Sequence, residues 1–154
     1  MELAICSAVI SLSFLIACPL AFAESQHGVS IKVFTSTDDQ FWTNSVMIEG
    51  VHEVMLVDAQ LTKTNAERVL QEIKGTQKPL SIIYITHEHA DHFLGLEVFR
   101  EAYPRVRIIA TSAVVDRIHK VYQEKIDKWK QLLGSGATTH AVAIRAIRRQ
   151  RHYI

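Results

Sequence analysis

Residues 79–92 read Pro79-Leu80-Ser81-Ile82-Ile83-Tyr84-Ile85-Thr86-His87-Glu88-His89-Ala90-Asp91-His92. The first half is a short apolar run, and the second is a cluster of imidazoles and carboxylates. Leu80 to Thr86 is too apolar for burial on one side, which predicts a central strand covered on both faces. The polar cluster then follows the C-terminal end of a buried strand, where ligand sites form in α/β sheets.

Working outward from this stretch, the chain alternates in period. Downstream, Phe93 to Tyr103 suits a helix with Leu96, Phe99 and Tyr103 at helical spacing, broken by Pro104. Val106 to Ala110 is another buried strand. Residues 113–133 carry Ile118, Tyr122, Ile126, Trp129 and Leu133 on one stripe, and Gly134 and Gly136 end that helix. Trp129 on such a stripe reads as core packing. Upstream, Val29 to Thr35, Trp42 to Glu49 and Val54 to Val57 read as strands of an antiparallel meander. Thr64-x-x-Glu67 has the form of a capping box, with a helix from Asn65 to Lys74 that turns Val69, Leu70 and Ile73 inward. Strands that pair first and then alternate with helices predict a layered α/β domain.

The whole chain has 154 residues, 48% hydrophobic and 21% charged, as one globular domain would. Lys and Arg number 17 against 16 Asp and Glu. That balance argues against a strongly basic nucleic-acid binder, and no nucleic-acid partner is expected. The ends differ from the middle. Residues 3–23 hold no charged side chain and finish in Ala21-Phe22-Ala23, the small-x-small pattern cut by a signal peptidase. The expectation is a signal peptide over 1–23 and a periplasmic or secreted bacterial protein. Membrane attachment would come only through an uncleaved segment or through lipidation of Cys18 in Leu15-Ile16-Ala17-Cys18. Cys6 and Cys18 are the only cysteines, so cleavage after Ala23 leaves no disulfide and no thiolate metal ligand. Residues 24–140 carry 13 basic and 15 acidic groups, whereas residues 141–154 carry four arginines and no acid. The reading preferred for that tail is an early or out-of-frame chain end. A basic arm is the alternative.

The chemistry lies in His87-Glu88-His89-Ala90-Asp91-His92. In an extended segment alternate side chains share a face, so His87 and His89 can reach one metal. Asp91 and His92, adjacent at the turn into the next helix, can aim at a neighbouring point. The motif can therefore supply two ligands to each of two ions. Histidine and aspartate without thiolate suit Zn²⁺ best, with Fe and Mn left open. In the competing reading, Asp91 only caps the next helix and the histidines are solvated.

With these residues the chain resembles the metallo-β-lactamase superfamily of hydrolases. Asn44-Ser45-Val46-Met47-Ile48 and Leu56-Val57-Asp58 add to the likeness, which covers about residues 29–136. The resemblance implies an αββα fold, of which residues 24–140 would be roughly the first half. It implies two zinc ions, the first on His87 and His89 and the second on Asp91 and His92, with Asp91 also the catalytic carboxylate. Asp58 would orient a ligand by hydrogen bonds from behind. It also implies a small-molecule substrate, with a hydroxide held by the metals attacking an ester, lactone or lactam type bond. Two departures stand out. Ala59-Gln60 replaces the usual small residue and glycine after Asp58. The third histidine of site one, the bridging ligand and the last histidine of site two belong to the second half. His140, in Thr138-Thr139-His140, is the remaining candidate and reads as a surface histidine. His27, His52, His119 and His152 have no partner in sequence. The runner-up reading is a truncated, non-catalytic half-domain that binds metal weakly or not at all. A third is a binding module acting through the arginine-rich tail.

Overall fold

The structure, a computed structural model, describes residues 28–147. The expected signal segment and residues 148–154 of the basic tail lie outside them. Six strands form one sheet in sequence order: β1 (Ser30–Thr35), β2 (Asn44–Glu49), β3 (Val54–Val57), β4 (Leu80–Tyr84), β5 (Arg107–Ala110) and β6 (Arg145–Ala146). β1, β2 and β3 pair antiparallel, as a meander of closely spaced strands should. β4, β5 and β6 then add in parallel, each reached by a helical crossover. The crossovers are α1 (Lys63–Gly75), the short pair α2 (Ala90–Phe93) and α3 (Leu96–Ala102), and α4 (Ser112–Leu133).

The helices form where the apolar spacing predicts, with two corrections. The cap of α1 is Thr62 and not Thr64: the Thr62 hydroxyl accepts from Asn65 N at 3.3 Å. The Thr64–Glu67 spacing starts two residues too late, because the chain is already helical at Lys63. Val69, Leu70 and Ile73 do turn inward. The second correction concerns the helix expected over Phe93 to Tyr103. It begins at Ala90 and is divided at Gly95 into α2 and α3. Gly95 lies against the chain segment after β3: a Cβ there would stand 2.0 Å from Ala59 O. Its N–H donates to Gln60 O at 2.9 Å, and Ala59 N donates to His92 O at 2.7 Å. Residues 58–60 and 92–95 are thus laced backbone to backbone. Asp58 and Gln60 both take left-handed backbone angles, with φ of 59° and 68°. For residues other than glycine this costs about 1 kcal/mol each.

Burial separates the two sheet faces. Lys32, Met47, Leu56, Ile83 and Ile108 stand in register on one face. Met47, Leu56, Ile83 and Ile108 belong to the core, and Lys32 Nζ reaches Glu72 Oε2 on α1 at 2.5 Å. The opposite face carries Val33, Val46, Val57, Tyr84 and Ile109 in one row, and Ile31, Ile48, Met55 and Ile82 in the next. Here Ile82 and Tyr84 are only half-buried, and Ile31 and Val33 are 67% and 55% exposed. Central strand β4 is therefore sealed on one side and not on both. Its apolar composition reports a face that another layer could cover.

Part of the segment read as a basic tail packs onto the domain. Val142 and Ile144 are buried, Val142 N donates to the Tyr122 hydroxyl at 3.0 Å, and Arg145–Ala146 forms β6. The alternating apolar residues of Ala141 to Ile147 carry that strand signal within the arginines.

Candidate metal centre

The C-terminal ends of β3 and β4 lie side by side, with Asp58 N donating to Tyr84 O at 2.9 Å. Asp58 leaves β3 there, and the chain after β4 runs into His87. It does not stay extended: it bends at His87 and Glu88 before α2 begins. The bend still brings the rings of His87 and His89 to 4.8 Å, while α2 folds His92 back to 3.9 Å from His87. Asp58, His87 and His92 each offer a ligand atom, and these atoms lie within 4.8 Å of one another. His89 is exposed at the start of α2.

Asp91 does not cap that helix. The capping position is His89, with no side-chain bond, and Asp91 lies within the first turn. Its carboxylate instead accepts from the Thr43 hydroxyl at 2.5 Å and sits 3.2 Å from His92 Nε2. Burial favours the neutral acid, but the bonds from His92 and Thr43 prevail and hold Asp91 well below the usual carboxylate range.

Asp58 organises both imidazoles from behind. Its Oδ1 accepts from Thr86 N at 2.9 Å; its Oδ2 accepts from Thr86 Oγ1 at 2.7 Å and contacts His92 Nδ1 at 2.8 Å. The Thr86 hydroxyl spends its hydrogen on Asp58, so at 2.8 Å it can only accept from His87 Nδ1. The His87 Nδ1–H therefore points at Thr86 and the His92 Nδ1–H at Asp58, so each ring is oriented through Nδ1, as metal-ligating histidines are. Burial lowers the His87 pKa, and the neighbouring imidazoles of His92 and His89 lower it further, so the ring keeps a lone pair. His92 is the opposite case. Burial would lower it, but hydrogen bonds to Asp58 and Asp91 raise it to about 9. Protonated His92 thus donates through Nδ1 to Asp58 and through Nε2 to Asp91. The donor set, imidazole and carboxylate without thiolate, fits a transition metal.

Several side chains here were not legible from the motif. Thr86 adjoins it and could have been noticed. Thr43 and Gln60 carry no local sign of their part, because their contacts span 48 and 15 to 17 residues. His140 does not join the centre. Its Nδ1 lies 2.9 Å from Glu97 Oε1 on α3, and its side chain is 80% exposed. Trp129 packs against the core and meets Phe41 edge-on.

Comparison with known proteins decides the family. The chain matches the profile of the metallo-beta-lactamase superfamily over residues 39–143. It belongs to that superfamily. The chain is 30% identical over 72 residues to the uncharacterized protein YobT of Bacillus subtilis (strain 168), covering 47% of this chain and 30% of that protein. It is 27% identical over 75 residues to a probable metallo-hydrolase of Streptococcus pyogenes serotype M6, covering 49% and 31%. It is 38% identical over 60 residues to the exodeoxyribonuclease WalJ of Streptococcus pneumoniae, covering 39% and 22%. The chain thus spans under a third of the length of each of these relatives. A crystal structure of a metallo beta lactamase from Hirschia baltica aligns over 60% of this chain and 42% of its own, with 22% identity and a TM-score of 0.46.

Proposed function

We propose that the chain carries the first ligand set of a zinc-dependent hydrolase centre. His87 and His89 would hold one ion, and Asp91 and His92 the other. Asp58 would hold His92 directly, and His87 through Thr86. One observation carries the reading: Asp58 at the end of β3, His87 in the bend after β4 and His92 on α2 bring ligand atoms within 4.8 Å of one another at the sheet's C-terminal edge. Zinc bound there would supply a Lewis acid that makes water nucleophilic near neutral pH. The residues themselves orient: Thr43 and Asp58 fix the carboxylate and imidazole that would face the substrate. Candidate substrates are small molecules with an ester, lactone or lactam bond. The exodeoxyribonuclease among the relatives adds phosphodiesters to the panel. Export to the periplasm through residues 1–23 is part of the same proposal.

The test is metal content after zinc loading and desalting, followed by hydrolysis of that substrate panel. Stoichiometric zinc, lost in His87→Ala and His92→Ala, supports the centre. No retained metal in the native chain refutes it. A second reading is favoured by the exposed Ile31 and Val33. In it, these residues form one half of a two-sheet domain, and metal binds weakly without a covering layer. Zinc uptake without turnover on any panel member is its expected result.

A further inference from the structure

Gln60 occupies a position that costs energy twice. Its left-handed backbone favours glycine, and its Oε1 is buried without a hydrogen-bond partner. Yet the side chain is 1% exposed and fully engaged through its amide nitrogen. Nε2 donates to Thr43 O at 3.1 Å and to Ser45 Oγ at 2.8 Å. The amide orientation is determined, because Thr43 O can only accept and a rotated amide would oppose oxygen to oxygen. Thr43 is itself buried, and its hydroxyl reaches Asp91 Oδ2. Gln60 O meanwhile accepts from Gly95 N, just past the histidine–aspartate turn. One residue therefore grips both the start of β2, through Thr43 just before it and Ser45 within it, and the helix start beyond Asp91.

We infer that Gln60 is a positioning residue for the metal centre: its amide fixes Thr43, and through the Thr43 hydroxyl it fixes the Asp91 carboxylate. A glycine at this position would satisfy the backbone and lose both bonds. The inference rests on the proposal that Asp91 is a metal ligand, and the test separates the two.

The full chain is compared with Gln60→Gly, Thr43→Val, Thr43→Ser and the double variant Gln60→Gly/Thr43→Val. Without metal, the Thr43 hydroxyl proton is followed by NMR. Protection in the native chain and rapid exchange in Gln60→Gly, at a retained thermal melt, are expected. With metal, Co²⁺ is titrated by its visible absorption. Gln60→Gly should weaken the weaker cobalt site by ~10-fold, the scale of losing support behind a ligand. Thr43→Val should match it, Thr43→Ser should restore it, and the double variant should lose no more than either single change. Ser45→Ala, which removes one of the two acceptors, should give a partial loss and serves if Gln60→Gly melts poorly. A hydroxyl that stays protected in Gln60→Gly, or cobalt losses that multiply in the double variant, would overturn the inference. A native chain that takes up no cobalt overturns the metal reading instead, while the hydroxyl measurement still decides whether Gln60 holds Thr43.

Discussion

Gly95→Ala sets two physical effects of opposite sign against each other. Gly95 has φ −67° and ψ −2°, angles that alanine adopts freely, and it opens α3. The reduced entropy of the unfolded chain alone would make the change stabilising by up to about 1 kcal/mol. Space says otherwise. The new Cβ would lie 2.0 Å from Ala59 O, 2.9 Å from Ala66 Cβ and 3.0 Å from Gln60 O. Ordinary contact begins near 3.4 Å, so the 58–60 segment must retreat by about 1.4 Å. Two of the three obstacles are backbone oxygens that cannot swing aside. Overpacking of this kind costs about 1–3 kcal/mol, and stretching the Gly95 N to Gln60 O bond adds about 1. The net expectation is a loss of about 1–3 kcal/mol, or roughly 5–10 °C in melting temperature for a domain of this size. Gly75→Ala is the control, since nothing lies within 4 Å of its Cβ position. Urea unfolding followed by circular dichroism measures both. If Gly95→Ala is as stable as Gly75→Ala, the close approach of the 58–60 segment to α3 is wrong.

Three further outcomes are expected. Burial raises the Glu97 pKa, but bonds from His140 and Thr139, with Lys63 nearby, outweigh this and hold it at about 2. A carboxylate depressed from 4.5 contributes stability above its unfolded pKa and loses it as pH falls toward 2. Glu97→Gln should therefore cost up to about 3 kcal/mol in urea unfolding at pH 6 and little at pH 2. Thr62→Ala should cost about 1 kcal/mol through the lost cap, and Thr64→Ala should cost much less, as thermal melts of the two will show. Asp58→Ala removes the acceptor behind His92 and Thr86, and should weaken cobalt binding by ~10- to 100-fold in a chelator competition.

Much of this arrangement follows from local pattern. Val69, Leu70 and Ile73 declare the inner face of α1 by spacing alone, and Ile118, Tyr122 and Ile126 do the same for α4. The Leu80 to Tyr84 strand and the ligand cluster after it are equally local. What sequence could not supply is long-range. The choice between Thr62 and Thr64 as a cap depends on where the chain leaves the 58–60 segment. The break at Gly95 depends on Ala59 lying opposite it. Ile82 and Tyr84 look like residues sealed on two sides because composition records hydrophobicity, not what covers it. Thr43 and Gln60 lie far from the motif in the chain, and only the pairing of β2 with β3 and the packing of α2 bring them to Asp91.

The lacing of residues 58–60 to 92–95 has a dynamic consequence. The Ala59 and Gly95 amides donate across this seam, one to each side, so neither side can breathe alone. Their hydrogen–deuterium exchange should follow the unfolding of the whole sheet and not a local fluctuation. Mutations that speed up that exchange would loosen the histidine turn and the hydrophobic interior together, making the ligand-bearing turn and the folded scaffold one cooperative unit.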